Sequence, residues 1–491
     1  MGLDPLSPLV VRTLTWRLLP ILCLGLGIGH LDRQNIAYAE LMMGPELNLT
    51  KKDFAVASGV FFLTYATFQV PFTHIAAGHA PGLVLGISLV AQGAIAGAQG
   101  LVRSGTELCV LRVLLGVPEA VFYPVAALYI SRWFPDQHRA LAMTIFQAFS
   151  GLGFLIGGLS AGAIMDAADG LIGWSGWRWL FVVQGLPSIL LGVITICLLP
   201  NRIGEAAWLS LHQREELALH LLASDVADEK PLPLARALWA VLRRGPTWTC
   251  ASLHFSVCTI AYMVAFFLPT MTKELLPSWS LTAAGLLCTI PSAMAMAVGP
   301  CIASIADRHG ASLARRLLIT YGCDVLAAFT LLGSGLCMYA ASVHAGAAAH
   351  RWSVGALALV FCAFPMLASS AGPFWALHHA VQPTRLRAVS IATVNSIGNV
   401  GGFAGPYLLA ALRQALGPEC PSAAQHKCIS QWAFGTLSVA LGVLCLITAS
   451  GVTATALLLF PSREPLLYTH RAVSALPPAS SSSGASEIET G

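Results

Sequence analysis

Two pairs of opposite charges stand inside stretches otherwise suited to hydrocarbon: Asp32-Arg33 at the far end of the first apolar run, and Arg112 with Glu119 in the fourth. A charge at membrane depth costs roughly 2.5–3.5 kcal/mol at a helix centre, so it meets a partner or a wet cavity and marks a functional position. Seven residues at about 100° each return nearly to the start, which places Arg112 and Glu119 on one helix face two turns apart. A carboxylate in such surroundings is driven toward its neutral form by desolvation and toward its anion by a neighbouring guanidinium. Asp32 and Glu119 are therefore placed to load and release protons. The same four charges also suit two structural ion pairs bracing the first half of the chain.

Other polar side chains interrupt later apolar runs. Asn395 and Asn399, four residues apart, stack on one helix face beside Gly398, Gly401, Gly402 and Gly405. They suit a carboxylate or hydroxyl ligand and equally suit interhelical hydrogen bonds, while the small residues admit either a close helix or a substrate against the backbone. Gln147 is a candidate for a cavity wall, and Gly153-Phe154-Leu155-Ile156-Gly157 is a small-residue packing motif. Tyr65 and Trp375 suit the flanks of an organic substrate, and also packing or interfacial anchoring. His378-His379 is not a metal site on this pattern, because adjacent helical residues point about 100° apart and no third ligand is near in sequence. An interfacial pair is expected there instead.

The elements that carry these residues must be membrane helices. Of 491 residues 56% are hydrophobic and 10% charged, with mean hydropathy +0.72, whereas a soluble domain is about 25% charged. A span needs about 20 apolar residues, and twelve segments qualify: near 16–38, 54–74, 82–102, 108–131, 139–165, 179–199, 248–271, 281–304, 316–341, 353–379, 388–412 and 431–460. The expected fold is an all-α polytopic membrane protein in two six-helix halves, 1–200 and 248–462. Between them lies a central loop, 201–247, in which 209–217 has amphipathic spacing and is expected on the membrane surface. Residues 463–491 end in a Ser-, Ala- and Pro-rich stretch with the composition of a disordered tail. The first apolar run lacks a small-residue cleavage site and is read as a retained helix. Lys and Arg are biased toward the side holding both termini, which assigns that side to the cytoplasm.

The net charge of +4 with scattered basic residues gives no nucleic-acid surface. Most of the cysteines, such as Cys23, Cys197, Cys258, Cys288 and Cys445, sit in apolar runs without zinc or haem spacing. Cys420 and Cys428 share a polar loop where a disulfide is an option in an oxidising compartment.

Several stretches are similar to one family. They are His30 to Ile36, Arg112 to Ala120 running on to Tyr129-Ile130-Ser131-Arg132-Trp133-Phe134-Pro135, Trp177 to Pro187, and Asn395 to Tyr407. Together they resemble the anion:cation symporter family of the major facilitator superfamily. Ala306-Asp307-Arg308-His309-Gly310 resembles the superfamily's cytoplasmic loop signature, with Asp307 and Arg308 as gating residues, whereas the first-half equivalent, Ala77 to Gly82, lacks the acid and the arginine. The resemblance implies the major facilitator fold and proton-driven movement of small organic anions such as sugar acids, aromatic acids or vitamins. Asp32 and Glu119 match the family's proton-carrying carboxylates, and Arg33 and Arg112 its paired basic residues. Tyr65, Trp375 and Asn395 match its cavity positions. His30 stands where bacterial members usually carry Tyr, and its unperturbed pKa of about 6.5 bears on pH dependence.

The reading is thus a proton-coupled symporter of an organic carboxylate, working by alternating access as a monomer in a plasma or organelle membrane, with no cofactor and no metal. A uniporter or anion exchanger of the same fold and a non-transporting metabolite sensor are the alternatives. An enzyme is disfavoured, because no nucleophile–base constellation stands among the spans.

Overall fold

Inside a bilayer every backbone polar group must be bonded within its own segment, so apolar runs of this length resolve as helices. The computed structural model of the protein describes residues 6–77, 80–224, 233–275, 279–307, 313–344, 346–382 and 386–416, with Val439, Ala440, Val443 and Ile447. Its α-helices run α1 (Pro8–Glu46), α2 (Lys51–Ala77), α3 (Pro81–Ala98), α4 (Gly105–Trp133), α5 (Asp136–Ala168), α6 (Gly176–Leu198), α7 (Leu211–Ser224) and α8 (Leu234–Leu242). They continue as α9 (Gly245–Leu275), α10 (Leu281–Asp307), α11 (Leu313–Val343), α12 (Gly346–Val381) and α13 (Arg387–Leu416). No strand occurs among the described residues. Ten of these helices are long and apolar enough to cross a membrane, and α13 follows the eleventh expected span. The twelfth, 431–460, lies almost entirely outside the described residues, as do Arg308, Cys420 and Cys428. Asp307 closes α10.

Local chemistry sets several helix ends. Ser7 caps α1, its hydroxyl accepting from Val10 N, with Pro8 in the first turn where a missing N–H costs nothing. Ser104 caps α4 by accepting from Glu107 N, and the Glu107 carboxylate accepts in return from Arg103 N at 2.7 Å, a variant of the capping box. The first helix is longer than its apolar run suggests. The sequence places Asp32 and Arg33 near its end, but α1 continues to Glu46 and buries both charges within the helix.

In the first half α1 packs on α5, α2 on α4, and α3 on α6; in the second α9 packs on α13 and α11 on α12. The halves meet along α2–α13, α5–α10 and α1–α9. Small residues bring these helices together. A Cβ on Gly153 would strike the Gly27 backbone of α1, and one on Gly401 would lie 2.5 Å from Phe255 O of α9. The glycines of α13 thus serve close helix contact, with Gly398 against His254 and Gly405 against Thr259. On the outer surface large apolar side chains such as Leu190 and Phe329 are about 60% exposed, at 63% and 60%, as a lipid-facing surface requires.

In the central loop the helix predicted over 209–217 runs from Leu211 to Ser224 and buries Leu217 in a cluster with Leu209, Ala206 and Trp133. Arg214 donates to the carbonyls of Gly204, Ala206 and Leu209, and Ser7 N donates to Glu216 at 2.6 Å. The loop is therefore locked onto the end of the first half.

Candidate functional site

Asp32 and Arg33 are consecutive, so they point about 100° apart on α1 and meet different neighbours. Arg33 turns to α4, where its Nε donates to Glu119 Oε2 at 2.5 Å. The pair is buried, at 8% and 1% side-chain exposure. Arg33 is also roofed by aromatic rings of α2, with its Cζ 4.7 Å from the Tyr65 centroid and 5.5 Å from that of Phe61, a cation–π arrangement strengthened by desolvation. The Tyr262 phenol reaches the same guanidinium from α9, in the other half. Asp32 turns to α3, accepting from Gln92 Nε2 at 3.2 Å and, on its own helix, from Asn35 Nδ2 at 3.5 Å.

The pairing expected from sequence therefore changes. Arg112 and Glu119 do share a face of α4, yet Glu119 is taken by Arg33. Arg112 is fully buried; its hydrogen bonds among the described residues go to backbone carbonyls, Nε donating to Ala57 O at 3.4 Å and Nη2 to Arg33 O at 3.5 Å, and its Cζ stands 5.4 Å from the Phe61 centroid. Among the described residues its Nη1 has no hydrogen-bond partner, and neither has Glu119 Oε1. A buried donor left unmade costs about 1–3 kcal/mol, and more for a charged group. The arrangement thus leaves one guanidinium donor and one carboxylate acceptor without a hydrogen-bond partner among the described residues.

From this charged centre a polar chain crosses between the halves. Below Tyr65 on α2, Gln69 donates from Nε2 to the Tyr65 hydroxyl at 3.5 Å, and its Oε1 accepts from Asn395 Nδ2 at 3.1 Å and Ser396 Oγ at 3.0 Å of α13. Asn395 Oδ1 accepts in turn from His254 Nε2 of α9 at 3.3 Å. His254 stacks on Phe374 and stands edge-on to Trp375, at centroid distances of 5.7 and 5.2 Å. Tyr65, Trp375 and Asn395 are thereby brought into one network, linked by Gln69 and His254.

Other expected residues stand apart. Asn399 donates back to Asn395 O at 2.8 Å on its own helix. Gln147 is exposed and donates to the Tyr123 hydroxyl at 2.8 Å. His30 is half-buried, its Nδ1–H donating to Leu26 O at 2.9 Å and its ring edge-on to Phe154. His378 is fully buried rather than interfacial, packed between Phe374 and Trp375 with its Nε2 3.3 Å from Ser390 Oγ. A small cavity of about 10 Å³ lies between α1, α9, α10 and α12, lined by Gln34, Tyr38, Ser292 and Phe364 among others. None of the expected cavity residues lines it, because Tyr65, Trp375 and Asn395 belong to the network on the α2–α13 side.

Three partners escaped the sequence reading: Gln69, Gln92 and His254. Each is a lone polar residue in an apolar run, and that was the available signal.

At the end of the bundle where α1, α5 and α9 finish, the halves are bonded shut. Buried Glu40 of α1 pairs with Lys51 and accepts from Thr270 Oγ1 of α9 at 2.8 Å. Asp166 of α5 accepts from both N and Oγ1 of Thr282, at 2.9 and 2.6 Å, and so caps α10 from the opposite half.

Comparison with known proteins agrees with this architecture. Residues 22–406 match the Major Facilitator Superfamily. A protein of Agrobacterium vitis named for tartrate transport is 30% identical over 408 residues, 83% of this chain and 89% of that one. A Pseudomonas putida protein named for metabolite transport is 33% identical over 296 residues, 60% of this chain and 67% of that one. The crystal structure of a D-xylose–proton symporter superposes with a TM-score of 0.63 at 14% identity, covering 88% of this chain and 97% of that one.

Proposed function

The chain belongs to the Major Facilitator Superfamily, and on that premise we propose that it moves a small organic anion across a plasma membrane together with protons. It is an integral, multi-pass membrane transporter and not an enzyme. The observation that carries the proposal is the asymmetry of its two buried arginines: Arg33 is ion-paired with Glu119, while Arg112 hydrogen-bonds to carbonyl groups, stands over the Phe61 ring and keeps its Nη1 unused. A carboxylate substrate supplies the missing acceptor in a bidentate fork. The relative named for tartrate transport supports a carboxylate cargo.

Protonation of Glu119 dissolves its ion pair and frees Arg33 to join Arg112 on the anion. Loss of the proton to the other side lets the carboxylate reclaim Arg33, and the substrate leaves. Asp32, one residue away and bonded to neutral amides, is the second acid able to change charge in the same space. With both termini cytoplasmic, the bonded end at Glu40–Thr270 and Asp166–Thr282 is the outer end, and alternating access breaks those contacts when the carrier opens outward. Asp307, which closes α10, and Arg308 are proposed as gating residues.

The test is uptake by proteoliposomes of a panel of mono- and dicarboxylates, with and without an inward proton gradient. Accumulation that requires the gradient is the expected result. Equilibration without accumulation makes the protein a uniporter or exchanger, and saturable binding without uptake makes it a sensor.

A further inference from the structure

At the junction of α8 and α9 the charge and aromatic pattern has no role in the transport cycle. Arg236, Trp239 and Arg243 fall at i, i+3 and i+7 of α8 and share its exposed face, Trp239 being 63% exposed. The Arg243 guanidinium lies 5.6 Å from the Trp239 ring centroid. On the opposite face Ala237 and Val241 are buried against Leu386 and Val389 at the start of α13. Trp248, 50% exposed at the start of α9, donates its indole N–H to Leu242 O at 2.7 Å and fixes the elbow. Two indoles held outward beside arginines match the chemistry of a membrane–water interface, where amphipathic rings sit at headgroup depth.

A second observation points inward at the same elbow. Thr247 is fully buried, and neither its Oγ1 nor Arg244 Nε has a hydrogen-bond partner among the described residues. Both are donors, and both stand at the first turn of α9, where the helix dipole favours an anion. Exposed arginines, unmet donors and interfacial indoles together call for a ligand with a negative oxygen-rich head and an apolar body.

We propose that this elbow is a binding site for an anionic glycerophospholipid of the adjoining leaflet. Its headgroup meets Arg236, Arg243 and Arg244 at the surface above Thr247, and its acyl chains lie along Trp239 and Trp248. Because α8 rests on the start of α13, the bound lipid braces the helix that carries Asn395 to Gln69. This site is independent of the anion and proton chemistry proposed above.

The full-length protein in a neutral detergent is titrated with phosphatidylglycerol, phosphatidylcholine or inorganic phosphate, and its melting temperature is followed. Phosphatidylglycerol is expected to raise it saturably, and the other two are not. A basic residue near an anionic surface contributes about 1 kcal/mol, so each of Arg236→Gln, Arg243→Gln and Arg244→Gln should raise the half-saturating lipid concentration roughly fivefold. Arg351→Gln, an exposed arginine on α12, should leave it unchanged. Equal stabilisation by phosphatidylcholine, stabilisation by inorganic phosphate, or an undiminished response in the arginine variants would overturn the site. Should Arg244→Gln not fold, Arg236→Gln and Arg243→Gln, whose side chains are exposed, decide the matter.

Discussion

Arg33 Nε lies 2.5 Å from Glu119 Oε2, across 86 residues of chain, while Asp32 beside it in sequence bonds to Gln92 on a third helix. The two acids are thereby chemically distinct. One is the anion of a buried salt bridge, and the other accepts from neutral amides. Their removal should have different consequences.

Glu119→Gln keeps the shape of α4 and removes the charge that compensates Arg33. Accumulation driven by a proton gradient is expected to fall to background, while counterflow of labelled against unlabelled substrate persists. Breaking one partner of a buried pair costs on the order of 3–5 kcal/mol, so the melting temperature should drop as well. Uphill transport unchanged from wild type would sink the coupling role.

Asp32→Asn acts differently. Asp32 accepts from both Gln92 and Asn35, and an amide at this position turns one acceptor into a donor facing a donor. The expected cost is about 1–3 kcal/mol for the unsatisfied group, partly relieved by rotation of the Gln92 amide. In proteoliposomes the substrate gradient supported by a given pH gradient should shrink without vanishing, read as a lower proton-to-substrate ratio.

Gln69→Leu removes the acceptor shared by Asn395 and Ser396 and the donor to Tyr65. Two donors on α13 lose their partner, the buried Ser396 hydroxyl at about 1–3 kcal/mol when uncompensated and the half-buried Asn395 amide at less. A higher KM with a lower melting temperature is expected, and Gln69→Glu, which keeps the acceptor oxygen, should recover part of both.

Asp166→Ala deletes the cap that α5 provides to α10. Loss of such a cap costs about 1 kcal/mol, all of it from the closed end, so the outward-open population should rise roughly fivefold. Spin labels at Asp169 and Trp279, on the two sides of that end, should report a longer distance in the variant than in wild type.

Gly153→Ala places a methyl group on the Gly27 backbone of α1, which cannot turn aside as a side chain would. Overpacking of this kind costs about 1–3 kcal/mol. Because α1 carries Asp32 and Arg33, transport should fall together with thermal stability, whereas Gly204→Ala, where a methyl group meets open space, should leave both unchanged.

Much of this protein is legible in its sequence because the bilayer imposes a one-dimensional rule. Backbone groups in hydrocarbon must be bonded along their own segment, so apolar runs near 54–74 or 179–199 become α2 and α6 with only their ends adjusted. The same rule makes Asp32, Arg33, Arg112 and Glu119 conspicuous, since each is expensive where it stands. What the sequence could not decide was partnership. Helical spacing relates Arg112 to Glu119 on one face, but hydrogen bonds form between atoms within about 3 Å, and only the packing of α1 on α4 brings Arg33 to Glu119 and leaves Arg112 on carbonyl oxygens. Likewise Gln69, Gln92 and His254 have no partner visible in the sequence, and Asn399 suits a ligand and an interhelical hydrogen bond equally. The approach of α2 to α13, permitted by Gly402 against Phe62 and by Gly59 against Phe403, made Gln69 the bridge between halves, and Asn399 bonds to the backbone of its own helix.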